Sequence, residues 1–87
     1  MTNIEIVKAF NRGETSGHTS KSPYYGNVYV VSIVGDYLFS YRTPIAKRTN
    51  EGIILNKHKY SSTTSKLQNY IRTYANVIEE VEEISLF

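Results

Sequence analysis

The sequence predicts an α+β fold: a small antiparallel sheet of about four strands packed on one long C-terminal helix, with a short helix at the N-terminus as the preferred reading of residues 2–11. Three observations carry that prediction. Two β-rich runs, Val28–Val34 and Tyr37–Arg42, flank the dipeptide Gly35-Asp36. A second pair of runs lies on either side of Thr49-Asn50-Glu51-Gly52. From Ser61 onward the apolar residues recur every three or four positions instead of every two, which is the change from strand to helix periodicity.

Taken in order, Thr2 followed three positions later by Glu5 fits a capping box, and Gly13 is a natural stop after Phe10-Asn11-Arg12. Ile4, Val7 and Phe10 then share one loose face; the competing reading is a short strand through Ile4 and Ile6. Residues 13–27, rich in Gly, Ser, Thr, Asn and Pro, read as a loop, long enough for so small a chain to be either functional or mobile. Gly35-Asp36 suits a two-residue type II′ turn. That turn sets Val34 opposite Tyr37, Ser32 opposite Phe39 and Val30 opposite Tyr41. Both faces of this hairpin are apolar, so a single helix leaves one face in need of another element or another subunit. Pro44 lacks a backbone donor, which makes Thr43–Arg48 a bend followed by an edge-like strand, with Ile53–Asn56 as the fourth. The stripe Leu67, Tyr70, Ile71, Tyr74, Val77, Ile78 and Val81 predicts a helix starting within Ser61–Ser65 and running to about Glu83, roughly 30 Å long.

Eighty-seven residues make one domain, 1–87, with a small core. There are no cysteines, which excludes disulfides and thiolate metal sites together. Self-association is then the remaining source of extra stability, so a homodimer is expected. No stretch approaches the ~20 apolar residues of a membrane span. The start Met1–Glu5 lacks the character of a signal peptide, so the expectation is a cytosolic protein without cofactor or membrane contact. Net charge is only +2 but uneven. Residues 31–75 set seven Lys/Arg against Asp36 and Glu51, a net +5, whereas residues 76–87 carry Glu79, Glu80, Glu82 and Glu83. Eight tyrosines stand beside three phenylalanines and no tryptophan.

Two ordered blocks are distinctive: Gly35–Arg48, reading GDYLFSYRTPIAKR, and Lys59–Gln68, reading KYSSTTSKLQ, with Ser16-Gly17-His18-Thr19-Ser20 upstream. Together they resemble a family of short, uncharacterised proteins and domains from phages, archaeal viruses and plasmids that share a GD-x-L-x-SY-x-TPIA-x-R block and a later KYS-x-TTSK block. The likeness covers residues from about 13 to 70. Leu67 stands where a histidine often does, so a catalytic role at that position does not carry over. The resemblance implies a viral or mobile-element origin and a host-cytoplasm setting; it brings no activity with it.

Candidate sites follow from residue chemistry. Arg42, Lys47, Arg48, Lys57 and Lys59 on neighbouring strands, interleaved with Tyr41 and Tyr60 and with Tyr37 nearby, form a basic aromatic stripe of the kind that binds single-stranded DNA or RNA. The bland alternative is half-buried sheet tyrosines and edge-protecting lysines. The run Ser61, Ser62, Thr63, Thr64, Ser65, Lys66 at a helix start offers hydroxyls, free N–H groups and a cation to an anion, although capping alone needs only one hydroxyl. His18 and His58 are the only histidines, and a metal-independent nuclease would have to pair them. Their spacing gives no reason for such a pairing, and the carboxylates form no metal-ligand pattern, so neither a catalytic nor a metal site is assigned. The expected function is nucleic-acid binding; the alternative is a protein-interaction module or an inhibitor of a host factor.

Overall fold

The computed structural model describes every residue except 25, 27 and 87. Helix α1 spans Asn3–Asn11 and opens on the capping box: the Thr2 hydroxyl accepts from the Glu5 amide, and the Glu5 carboxylate accepts from the Thr2 amide. Gly13 at φ +101° turns the chain away after it. Ile6, Val7, Ala9 and Phe10 form its buried face, while Ile4 is only half-buried.

Six strands follow, not four. The segment expected to be a plain loop contributes β1 (Ser16–His18), which pairs antiparallel with β2 (Val31–Val34). Three polar residues carry no apolar alternation, so only the hydrogen-bonding edge of β2 makes them a strand. Strand β3 (Tyr37–Ser40) pairs with β2 in the expected register, Val34 opposite Tyr37 and Ser32 opposite Phe39. Gly35 takes φ +62° at the first turn position, the conformation a two-residue hairpin demands there. Val30 and Tyr41 lie just past the ladder, joined by a 2.8 Å bond from the Tyr41 amide to the Val30 carbonyl.

Strands β4 (Thr43–Arg48) and β5 (Ile53–Asn56) complete the antiparallel part. The expectation of an edge-like β4 is corrected: it lies between β3 and β5. Pro44 is tolerated because the β3–β4 register slips there, Leu38 facing Ala46 and Phe39 facing Pro44, which leaves Ile45 unopposed. The slip also lets the consecutive residues Ile45 and Ala46 both enter the core.

The long C-terminal helix is also corrected. Helix α2 ends early, spanning Ser62–Tyr74; Ala75 is already extended at φ −120°, and Val77–Val81 form β6, parallel to β5. All four C-terminal glutamates would otherwise sit near a helix C-terminus, where the macrodipole opposes negative charge. Val77, Ile78 and Val81 are β-branched and favour a strand. As a strand, the segment pairs Arg72 with Glu80 at 2.9 Å and Lys57 with Glu82 at 3.8 Å.

The six strands run in the order β1-β2-β3-β4-β5-β6, and α1 and α2 share one face of the sheet. Ile33, Leu38, Ala46 and Leu55 line up across neighbouring strands on that face and pack with Phe10, Leu67 and Ile71 in one core. The opposite face carries the row Val34, Tyr37, Lys47 and Ile54. Residues after β6 cross part of it: Ile84 is buried, and the Tyr37 hydroxyl donates to the Leu86 carbonyl at 3.2 Å. The second face thus finds its missing cover within the chain, although Val34 stays open. No helix among the described residues is long and apolar enough to cross a membrane.

Candidate functional site

Strand β4 leaves the β3–β4 turn at the same end of the sheet where β5 ends, since the two are antiparallel. That brings the turn residues Tyr41 and Arg42 beside the connection 57–61 and the start of α2. The space between them is an open cleft of about 730 Å³, lined by Tyr24, Tyr41, Arg42, Tyr60 and the first turn of α2.

Each wall is held by identifiable bonds. Asn56, buried at the end of β5, donates from Nδ2 to the Pro44 carbonyl at 3.1 Å and to the Tyr60 hydroxyl at 2.9 Å, while its Oδ1 accepts from the His58 amide at 3.0 Å. Gln68, buried on α2, donates from Nε2 to the carbonyls of Asn56 at 2.6 Å and His58 at 2.9 Å. These two amides pin the connection that carries Tyr60, and the His58 ring packs edge-on against Tyr60 at 4.7 Å. Buried amides placed in this way are costly to leave unpaired, so they set geometry as well as stability. Tyr24 reaches the cleft on a small extension of β1 and β2, where Ser22 and Val28 pair through a 2.8 Å backbone bond.

The hydroxyl run divides into working parts. Ser61 is the N-cap of α2, accepting from the Thr64 amide at 3.3 Å. Thr64 is buried and lies 3.1 Å from the Ser40 hydroxyl of β3, which locks the helix start onto the sheet. Ser62, Thr63 and Lys66 are exposed and Ser65 is half-buried. Of these four, Thr63 lines the cleft.

The basic stripe does not survive as one surface. Arg42 is at the cleft, and Lys57 and Lys59 are exposed in the adjoining connection. Lys47 sits on the far face of the sheet, with its ammonium 5.9 Å from the Tyr37 ring centre. Arg48 belongs to the framework. Its guanidinium stacks 4.6 Å over Phe10 and donates to the carbonyls of Phe10 at 2.5 Å, Glu14 at 3.0 Å and Gly35 at 2.9 Å. It also pairs with Asp36 at 3.3 Å. Lys57 shares Glu82 with His58, whose Nδ1 lies 3.6 Å from that carboxylate. The side chains of Arg42, Lys59 and Lys66 have no ion pair or hydrogen bond among the described residues.

The two histidines are not brought together. His18 ends β1 and stacks on Tyr29 at 3.9 Å, whereas His58 follows β5, four strands away in the sheet order. At one strand spacing each, that is roughly 19 Å. No three acidic or histidine side chains converge among the described residues.

The cleft residues that sequence reasoning passed over are Tyr24, Val28, Ser40 and Thr43. An exposed tyrosine after Pro23 in a long loop was the one available signal for them. No curated protein and no solved structure matches the chain. A model of a family of unknown function (DUF8033) matches residues 6–85, every strand, α2 and most of α1, and the chain belongs to that family.

Proposed function

We propose that this protein binds single-stranded nucleic acid in the cleft at the α2 N-terminus, as a non-enzymatic protein of viral or mobile-element type acting in the host cell. The observation that carries the reading is the convergence of Tyr24, Tyr41, Arg42 and Tyr60 on a helix start whose exposed Thr63 borders the same space. Aromatic faces receive bases, and cations beside them receive the intervening phosphates. The helix start adds N–H groups aligned with the macrodipole. Arg42, Lys59 and Lys66, at the cleft or in the segments next to it, have no carboxylate partner among the described residues.

Fluorescence anisotropy with labelled single- and double-stranded DNA and RNA tests it. With about three phosphate contacts, affinity for a single strand falls roughly 20-fold between 50 and 200 mM salt. Arg42→Ala weakens binding several-fold and flattens that slope. Absence of binding at 50 mM salt refutes the reading.

A protein-interaction role, including inhibition of a host factor, is supported by a different place. Strand β6 is an outer strand of the sheet, with Ile78 about half exposed beside Glu79 and Glu80. An exposed strand edge is a template for pairing with another chain, including a second copy in a homodimer. A tagged-protein pull-down together with a mass measurement in solution separates these from nucleic-acid binding.

A further inference from the structure

Two hairpin turns in this chain have the same two-residue length and different chemistry. Between β2 and β3 the first turn position is Gly35, at φ +62°. Between β3 and β4, where Ser40 pairs with Thr43, the first turn position is Tyr41, at φ +56°. Glycine adopts that backbone conformation freely, whereas a bulky L-residue is strained in it. Tyr41 is the only residue other than glycine with positive φ among the described residues. Strain of this kind, where a tolerated glycine is the simple alternative, marks a position whose side chain is required. Tyr41 is also the residue at which the β3–β4 hairpin meets the cleft, next to Arg42 and across from Tyr60.

We infer that Tyr41 is the stacking platform of the cleft: the strained turn presents its ring to an unpaired nucleobase while the adjacent Arg42 takes the phosphate beside it. This rests on the proposed binding of single strands and narrows the ligand. What the site selects is a base-bearing strand with the base unstacked. A duplex, whose bases are occupied with one another, and a base-free polyanion offer the ring nothing.

The experiment compares wild type with Tyr41→Phe, Tyr41→Gly and Tyr41→Asn, the last two chosen because both residues tolerate positive φ. The probes are a labelled oligothymidylate and an abasic oligonucleotide of equal length and charge, at about 50 mM salt. Wild type and Tyr41→Phe bind oligothymidylate alike. Tyr41→Gly and Tyr41→Asn bind it roughly 5- to 150-fold more weakly, the worth of one base stacked on an aromatic ring. All four bind the abasic strand equally and weakly. Thermal unfolding of Tyr41→Gly at or above the wild-type temperature shows that the fold does not need the ring. Equal oligothymidylate affinity across the series overturns the inference and leaves single-strand binding standing. A marked loss of stability in both Tyr41→Gly and Tyr41→Asn overturns it as well, because the ring is then a packing element. Failure of wild type to bind oligothymidylate overturns this inference and the reading beneath it together.

Discussion

Arg48 illustrates how a side chain's role depends on what surrounds it. From its place in a basic run it belongs to a binding surface. In the fold, its planar guanidinium collects three backbone carbonyls from two separate turns, caps Phe10 and meets Asp36. The Phe10 carbonyl lies in the last turn of α1, that of Glu14 just after the helix and that of Gly35 in the β2–β3 turn, so one residue of β4 ties the helix end to the hairpin. Arg48→Ala should therefore lower stability by about 3 kcal/mol, since it leaves polar groups without partners and removes the aliphatic stem from Phe10. Arg48→Lys should recover little, because one ammonium does not reproduce the fork. Urea titration of the three proteins measures it. A loss below about 1 kcal/mol for Arg48→Ala would show that water replaces these contacts.

At the scale of elements, the β5–α2–β6 unit is where local pattern and tertiary structure part. The spacing of Leu67, Tyr70, Ile71 and Tyr74 is helical and the helix is there; Val77, Ile78 and Val81 continue the same spacing by coincidence and are strand. The parallel partner needs room beside the β4–β5 turn, and Gly52 provides it. A Cβ at Gly52 would stand 2.7 Å from Ile78 Cγ2 and 2.8 Å from the Asn76 carbonyl oxygen, on a backbone at φ +154°. Gly52→Ala should cost about 2 kcal/mol and lower Tm by roughly 10 °C. Hydrogen exchange should accelerate first at the amides of β6. Unchanged exchange there would mean that the strand shifts without loosening.

At the scale of the whole molecule, charge asymmetry along the chain becomes charge pairing in space. Arg72 hydrogen-bonds Glu80 and holds its carboxyl below the usual 4.5. Glu5 is lowered too, by the backbone N–H of Thr2 and then by its hydroxyl. Both groups bind their proton more weakly folded than unfolded. Their contribution is therefore complete above 4.5 and is lost as pH falls through the lowered values. Urea midpoints should fall on acidification below about pH 4.5, and the gap between wild type and Glu80→Gln should narrow over the same range. A gap that does not change with pH would mean that the Arg72 pair adds nothing to folding. This pairing also decides the candidate site. The acidic end takes up Lys57 and Arg72, Arg48 goes into the framework and Lys47 to the far face, which leaves Arg42, Lys59 and Lys66 of the basic middle without a carboxylate partner among the described residues.

Short-range chemistry is what the sequence determined by itself. The α1 capping box, the Gly35-Asp36 turn with its register, the Ser61 cap and the alternation of β2 and β3 all depend on residues a few positions apart. Their partners are therefore present in the same stretch of chain. Pairing between distant segments was decided only by the tertiary structure. Polar β1 exists because β2 has a free edge, and β6 exists because β5 accepts a parallel neighbour. The same distinction holds for the site. Tyr41, Arg42, Tyr60 and the helix start were legible as residue types, but their meeting with Tyr24 around one cleft required the assembled sheet. So did the removal of Lys47 to the far face and of Arg48 to the framework. Local preference is encoded residue by residue, whereas which cations stay unpaired depends on every segment that folds against them.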